Sequence, residues 1–116
     1  MDITPYIRGN KLKIDAEEQS RLNFREEAFR KAQKVALALN EAFPNVEVYL
    51  FGSLTTNLFE VDSDIDIAVK GLPEEQYFDA YRMAENITEP IPLDFVQFEF
   101  AQNSMKERIM RDGVRL

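Results

Sequence analysis

The sequence predicts an α+β fold, in which a mixed β-sheet of at least three strands carries helices packed on it. Short runs of β-branched and aromatic residues, at 46–51, 64–69 and 93–100, have the length and composition of strands. Longer stretches before and between them repeat apolar residues at intervals of three and four, which is the periodicity of a helix. Strands and helices that alternate in this way within a short chain indicate a sheet covered by helices.

The length of 116 residues is enough for one hydrophobic core. We therefore expect a single domain over 1–116, with an N-terminal arm and long helix at 1–44 and a motif-bearing core at 45–116. No apolar run approaches the length of a membrane span, and the N-terminus lacks a basic segment followed by an apolar one. These features predict a cytoplasmic protein with no membrane partner.

Two residue types are missing, and their absence excludes several kinds of chemistry. The chain has no cysteine, so it has no disulfides and no thiolate nucleophile. It has no histidine either, which excludes a Ser-His-Asp triad and histidine-rich zinc sites. The formal net charge of −7 argues against nucleic acid as a partner. Carboxylates with a hard metal ion remain, and bound cations would reverse the local charge for an anionic ligand.

The first part of the chain predicts an arm and a long helix. Gly9-Asn10 indicates either a small hairpin or an ordered lead-in, and both remain open. Asp15, with Glu18 three residues later, predicts the capping box of a helix over 16–42. Its apolar positions predict a face that covers the sheet: Leu22, Ala28, Phe29, Ala32, Val35, Ala36, Leu39 and Ala42. Two (i, i+4) ion pairs are expected on the outer side: Glu26 with Arg30, and Glu27 with Lys31.

The first two predicted strands carry the most informative residues. The strand at 46–51 ends at Gly52-Ser53, a tight turn. The run at 64–69 alternates, so Asp64 and Asp66 face the same side of the sheet. Carboxylates at i and i+2 lie roughly 7 Å apart and can converge on divalent cations. A short helix at 54–59 is expected to present its N-terminal amides, with the Ser53 hydroxyl, as an anion site.

The remaining elements complete the predicted sheet and its cover. A second helix is expected at 74–87, where Tyr77 and Tyr81 are predicted to pack in the core rather than to stack on a base. The third strand, at 93–100, carries Asp94. Ser104 and Glu107 predict a capping box for a last helix that ends at Gly113.

The spacing of these residues resembles a known signature. Gly52-Ser53, ten intervening residues and Asp64-x-Asp66 resemble the DNA polymerase β-type nucleotidyltransferase superfamily. The chain resembles more narrowly the minimal nucleotidyltransferases, the MNT antitoxins that pair with HEPN toxins. Asp94 lies where that family carries its third carboxylate, and residues 109–114 are similar to the end of the minimal proteins.

The resemblance implies a set of roles for these residues. Asp64 and Asp66 would bridge two Mg²⁺ ions, with Mn²⁺ as a substitute, and Asp94 would complete the catalytic ion. Gly52 and Ser53 would hold the triphosphate of ATP or another NTP. Asp64, Asp66 and Asp94 are thus both the catalytic and the metal-binding candidates.

The chain departs from the family pattern directly after the Gly-Ser turn. Relatives continue with a small residue, an arginine and a glycine, where this chain has Thr55, Thr56 and Asn57. Asn57 can adopt the left-handed backbone that glycine allows. Thr56 cannot replace a guanidinium that contacts phosphate. The departure predicts weaker nucleotide binding and leaves the carboxylates unaffected.

The resemblance also implies a function. Minimal nucleotidyltransferases neutralise a HEPN ribonuclease toxin, in studied members by transferring AMP to a toxin tyrosine. The expectation is therefore an adenylyltransferase that modifies a HEPN-type partner, with a homodimer as one way to complete the site. Two alternatives stay open: a stand-alone small-molecule nucleotidyltransferase, and a non-catalytic antitoxin that keeps the fold and only binds.

Overall fold

A computed structural model gives the positions of residues 15–56, 59–60 and 62–116. The elements in this part of the chain are α1 (Ala16–Ala42), β1 (Glu47–Phe51), β2 (Ile65–Lys70), α2 (Tyr77–Thr88), β3 (Leu93–Gln97), α3 (Asn103–Asp112) and β4 (Val114–Arg115). The predicted α+β class with a mixed sheet is confirmed. The arm predicted before Asp15 lies outside the described residues, as does Asn57. No helix among the described residues is long and apolar enough to cross a membrane.

The four strands form one sheet in the order β3-β2-β1-β4. β1 is antiparallel to β2 and to β4, whereas β2 and β3 are parallel. The parallel pair needs a crossover connection, which α2 supplies. β4 was not predicted, because two residues are too few to show an alternating pattern. The register places Asp66 between Phe51 on β1 and Asp94 on β3.

One face of the sheet is closed by α1 and α2, and we call it the apolar face. It carries Ile65, Ile67 and Val69 of β2, all fully buried, together with Phe95 of β3. The predicted stripe of α1 packs here, with Ala28, Ala32, Val35, Ala36 and Leu39 buried and Ala42 exposed. Tyr77 and Tyr81 pack on Phe95, with ring centroids 5.8 and 6.1 Å away, so they belong to the core as predicted.

The other face carries Asp66 and Ala68 of β2 and Asp94 and Val96 of β3, and we call it the aspartate face. α3 covers part of it through a small cluster of buried residues: Phe51, Ala68, Phe98 and Ile109. This cover is smaller than the one on the apolar face. It leaves Asp66 half-buried and Asp94 exposed.

One predicted detail of α1 is confirmed in the structure and another differs. Asp15 caps α1 by accepting a hydrogen bond from the Glu18 amide at 2.8 Å, as expected. Lys31 does not pair with Glu27, because its Nζ donates to the carbonyl oxygens of Ile87 and Glu89 at the end of α2.

The last part of the chain holds two further corrections. The predicted Ser104 cap is wrong, since α3 begins at Asn103 after Gln102 without a side-chain cap. β3 ends at Gln97, three residues before the predicted end at Phe100, because Phe98–Phe100 forms a 3₁₀ turn. The tighter winding of that turn removes these residues from the strand ladder.

Candidate active site

The turn after β1 brings the backbone close to a carboxylate. Gly52 has a φ of 77°, which residues with a Cβ rarely adopt. A Cβ built on Gly52 would overlap the Oδ2 atom of Asp66. Glycine is therefore required here for two reasons, and the main chain of the turn lies directly against Asp66.

The residues after Gly52 form one 3₁₀ turn, Gly52–Thr55, and Thr56 is already extended. Thr55 Oγ1 donates to the Gly52 carbonyl at 2.7 Å, and Thr56 Oγ1 donates to the Ser53 carbonyl at 2.8 Å. Hydrogen bonds from side-chain hydroxyls to backbone carbonyls compete with the backbone hydrogen bonds of a helix. The predicted α-helix is therefore wrong for residues 54–56. These three residues do not present an α-helical N-terminus to the turn.

α1 anchors this turn through a residue that sequence reasoning missed. Arg25 Nε donates to the Thr56 carbonyl at 2.9 Å, and its Nη2 donates to the Leu54 carbonyl at 3.1 Å. The two contacts tie the long helix to the Gly-Ser turn. No sequence signal could mark Arg25, because its partners are backbone atoms 29 and 31 residues further along.

Asp66 and Asp94 are the two predicted carboxylates that the sheet brings together. Burial raises the pKa of Asp66 to about 6, and the charges of Asp94 and Asp64 and a hydrogen bond with Asp94 act in the same direction. A hydrogen bond between two carboxyl groups requires a proton on one of them. The pair is therefore unfavourable when both are ionised and no cation is present.

Asp64 stands apart from this pair. It lies one residue before β2 begins, and its side chain is exposed. In the part of the chain that the structure describes, no group of three or more acidic, histidine or cysteine residues is gathered closely enough to hold a metal ion. Asp64 nevertheless raises the pKa of Asp66, so it acts on the same site electrostatically.

An open cleft of about 450 Å³ lies over the aspartate face. Its lining comes from the turn, the two strands and α3: Phe51, Gly52, Thr55, Thr56, Asp66, Asp94, Met105, Arg108 and Asp112. Ser53, which was predicted to hold phosphate, is not among these lining residues. A larger cavity of about 720 Å³ at the beginning of α1 contains none of the predicted site residues, so volume alone does not identify the site.

The donors in the cleft fit a divalent cation. Mg²⁺ and Mn²⁺ prefer carboxylate oxygens, and Asp66 and Asp94 present them from neighbouring strands. A cation held by the two groups would offset their mutual repulsion. The arrangement can therefore bind a metal–phosphate group beside a glycine turn that allows close approach.

Comparison with known proteins identifies the family of the chain and relates its fold to solved structures. The model of the family described as "Polymerase beta, Nucleotidyltransferase" matches residues 33–116. No curated protein matches the chain. A solved structure of a minimal nucleotidyltransferase is 21% identical, with a TM-score of 0.62, over 79% of this chain and 95% of that chain.

Two further solved structures come from toxin–antitoxin pairs. One, with AMP-PNP, is 23% identical with a TM-score of 0.59, over 74% of this chain and 69% of that chain. The other is a tri-AMPylated Shewanella oneidensis HEPN toxin with its MNT antitoxin, 21% identical with a TM-score of 0.57, over 76% and 70%. These likenesses show the fold. The match over residues 33–116 covers well over half of the sequence, so the chain belongs to the polymerase β nucleotidyltransferase family.

Proposed function

We propose that this protein is a metal-dependent nucleotidyltransferase that transfers AMP from ATP to a HEPN-type toxin and acts as its antitoxin. The observation that carries the proposal is the pairing of Asp66 and Asp94 beneath the Gly52 turn. Family membership supports the reaction class. The similar structures with AMP-PNP and with an AMPylated HEPN toxin support the nucleotide and the partner.

The carboxylates have distinct roles in this proposal. Asp66 and Asp94 would hold Mg²⁺ or Mn²⁺, and Asp64 would add its negative charge to the same site. A metal held there would supply positive charge against the negative charge that develops on the phosphates. Gly52 lets the triphosphate approach the main chain of the turn, and Ser53 is proposed to assist it.

Asp94 has a second role because it is the more exposed of the pair. It can accept the proton of an acceptor hydroxyl that enters from solvent. The acceptor oxygen then bonds to the α-phosphorus, the bond to the bridging oxygen breaks, and pyrophosphate leaves. A tyrosine or serine of a docked protein is a suitable acceptor, since the cleft is open and the net charge of −7 disfavours nucleic acid as a partner.

One observation favours the second candidate, a non-catalytic antitoxin. The Thr56 hydroxyl is bonded to the Ser53 carbonyl, so it is occupied within the turn and does not stand in for the family arginine. An antitoxin with weakened nucleotide binding would keep the fold and silence its partner by binding alone.

Incubation of the protein with labelled ATP, Mg²⁺ and the product of the neighbouring gene separates the candidates. We expect one or more AMP groups on the partner, and a rate that falls roughly a hundredfold or more in Asp66→Asn. Asp79→Asn, an exposed carboxylate on α2, is the matched control and should act like the wild type. A partner that is bound and silenced without label would leave only the non-catalytic antitoxin. ATP turnover with no label in the partner would favour the stand-alone enzyme.

A further inference from the structure

α3 presents one cationic side chain to the cleft. Met105, Arg108 and Asp112 are spaced at three and seven residues along α3, and all three line the cleft. Ile109, next to Arg108, is fully buried against the sheet. This anchor fixes which side of α3 faces the site. The position of Arg108 at the cleft therefore follows from the packing of α3.

Arg108 is not engaged within the folded chain. It is exposed, and it forms no hydrogen bond or ion pair with any residue of 15–56, 59–60 or 62–116. The neighbouring Arg111 differs, because it is paired with Asp112 at 3.1 Å. A guanidinium carries five donors in a planar fork that suits phosphate oxygens. At Arg108 these donors remain available to a ligand.

Arg108 differs in the sign of its charge from the other charged side chains around the cleft. The other charged residues that line it are Asp66, Asp94 and Asp112, so Arg108 is the one cation among the described lining residues. Its charge reaches the carboxylates, since it lowers the pKa of Asp66 against the effect of burial. A phosphate group entering the cleft would meet three carboxylates and this one guanidinium.

The turn itself offers no such cation. Thr55 and Thr56 line the cleft from the turn, and both hydroxyls donate to carbonyls of the turn. Arg25 does carry a guanidinium nearby, but its Nε and Nη2 donate to the Thr56 and Leu54 carbonyls. Within the described residues, the cation available to phosphate therefore comes from α3.

We propose that Arg108 binds the phosphates of the nucleotide and supplies from α3 the positive charge that the turn lacks. The inference rests on the proposed nucleotide-binding function and identifies a contact for it. The competing account is that Arg108 only balances the acidic cleft in the folded protein. That account predicts an effect on stability without an effect specific to phosphate.

Titration calorimetry of Mg²⁺-ATP and of adenosine distinguishes the two accounts. Arg108→Ala should weaken Mg²⁺-ATP binding by roughly tenfold to a hundredfold, the usual value of a hydrogen bond to a charged group, with adenosine binding unchanged. Arg108→Lys should recover part of the loss, because a lysine keeps the charge but not the fork. Arg111→Ala, on the same helix but outside the cleft lining, is the matched control and should bind like the wild type.

Three other results would overturn the inference, and they differ in what they imply for the proposed function. Wild-type affinity in Arg108→Ala would overturn the role of Arg108 and leave the proposed function standing. An equal loss in Arg111→Ala would mean that general charge, not contact, is responsible, and would also overturn it. A wild-type protein that binds no Mg²⁺-ATP would overturn both the inference and the proposed function. If Arg108→Ala does not fold, Arg108→Lys and Arg108→Gln carry the same comparison.

Discussion

The two faces of strand β2 differ in burial and in charge. On β2, Ile65, Ile67 and Val69 point to the apolar face and are fully buried. Asp66, between two of them, points to the aspartate face beside Asp94. α1 and α2 close the apolar face, whereas α3 leaves a cleft of about 450 Å³ over the other.

Residues of this one strand therefore have two different roles. Those on the apolar face stabilise the fold, and Asp66 on the aspartate face belongs to the proposed active site. Burial of apolar area on the apolar face supplies the favourable free energy of folding. The aspartate face holds carboxyl groups that repel each other, which lowers stability until a cation binds. Removing apolar atoms should therefore lower the stability of the protein, most strongly on the apolar face, whereas neutralising a carboxylate of the aspartate face should raise it.

The largest expected effect on folding is on the apolar face. Ile67→Ala should lower the free energy of unfolding by about 2–5 kcal/mol, because it leaves a cavity between the sheet and its helices. Val96→Ala, a half-buried side chain on the aspartate face, should cost about 1 kcal/mol. Urea unfolding of both variants measures the difference. Equal losses would show that the two faces contribute alike and would contradict the comparison.

The next effect is at the contact between the turn and the aspartate face. Gly52→Ala should destabilise the protein by about 1–3 kcal/mol, because of the positive φ and the overlap with Asp66. In an Asp66→Ala background the overlap disappears and only the backbone strain remains, so the cost should be smaller. A double-mutant cycle by chemical unfolding measures this coupling. Full additivity would mean that Gly52 and Asp66 are not in contact.

The smallest effect has the opposite sign and depends on pH. The pKa of Asp66 is raised from 3.8 to about 6, so the folded state binds its proton more tightly than the unfolded state. The stability from this proton is full below pH 3.8 and is lost as the pH rises through about 6.

Asp66→Asn should therefore be more stable than the wild type at pH 8 in EDTA. The gain is about 1 kcal/mol, since water screens a half-exposed carboxylate. Below pH 3.8 the advantage should vanish. Glu41→Gln, an exposed residue of α1, provides the control curve. A variant that is less stable than the wild type at pH 8 would make Asp66 a structural residue.

The sequence predicted those features that depend on local pattern. The capped helix α1 and the strands with Asp66 and Asp94 have clear periodicity, and the sheet class followed from them. β4 was missed because two residues carry no period, and the predicted helix was wrong over residues 54–56 because two threonine hydroxyls close the turn. Arg25 and Arg108 could not be found, since their roles arise only when distant elements meet.

The division into an arm with helix and a core at 45–116 stays a prediction, as do the roles of Asp64, Asp66, Asp94, Gly52 and Ser53. What the geometry adds is the cleft that Gly52, Asp66 and Asp94 line together, with Asp64 outside its lining but acting on the charge of Asp66. These roles now depend on whether the aspartate face binds a metal–nucleotide complex.

Calorimetric titration of ATP in the presence of Mg²⁺ and in EDTA tests this central claim most directly. The account predicts measurable binding with Mg²⁺, negligible binding in EDTA because the acidic cleft repels bare triphosphate, and loss of binding in Asp66→Asn. Ile65→Val, on the apolar face of the same strand, should bind like the wild type. Equal affinity for ATP with Mg²⁺ and in EDTA would contradict the account.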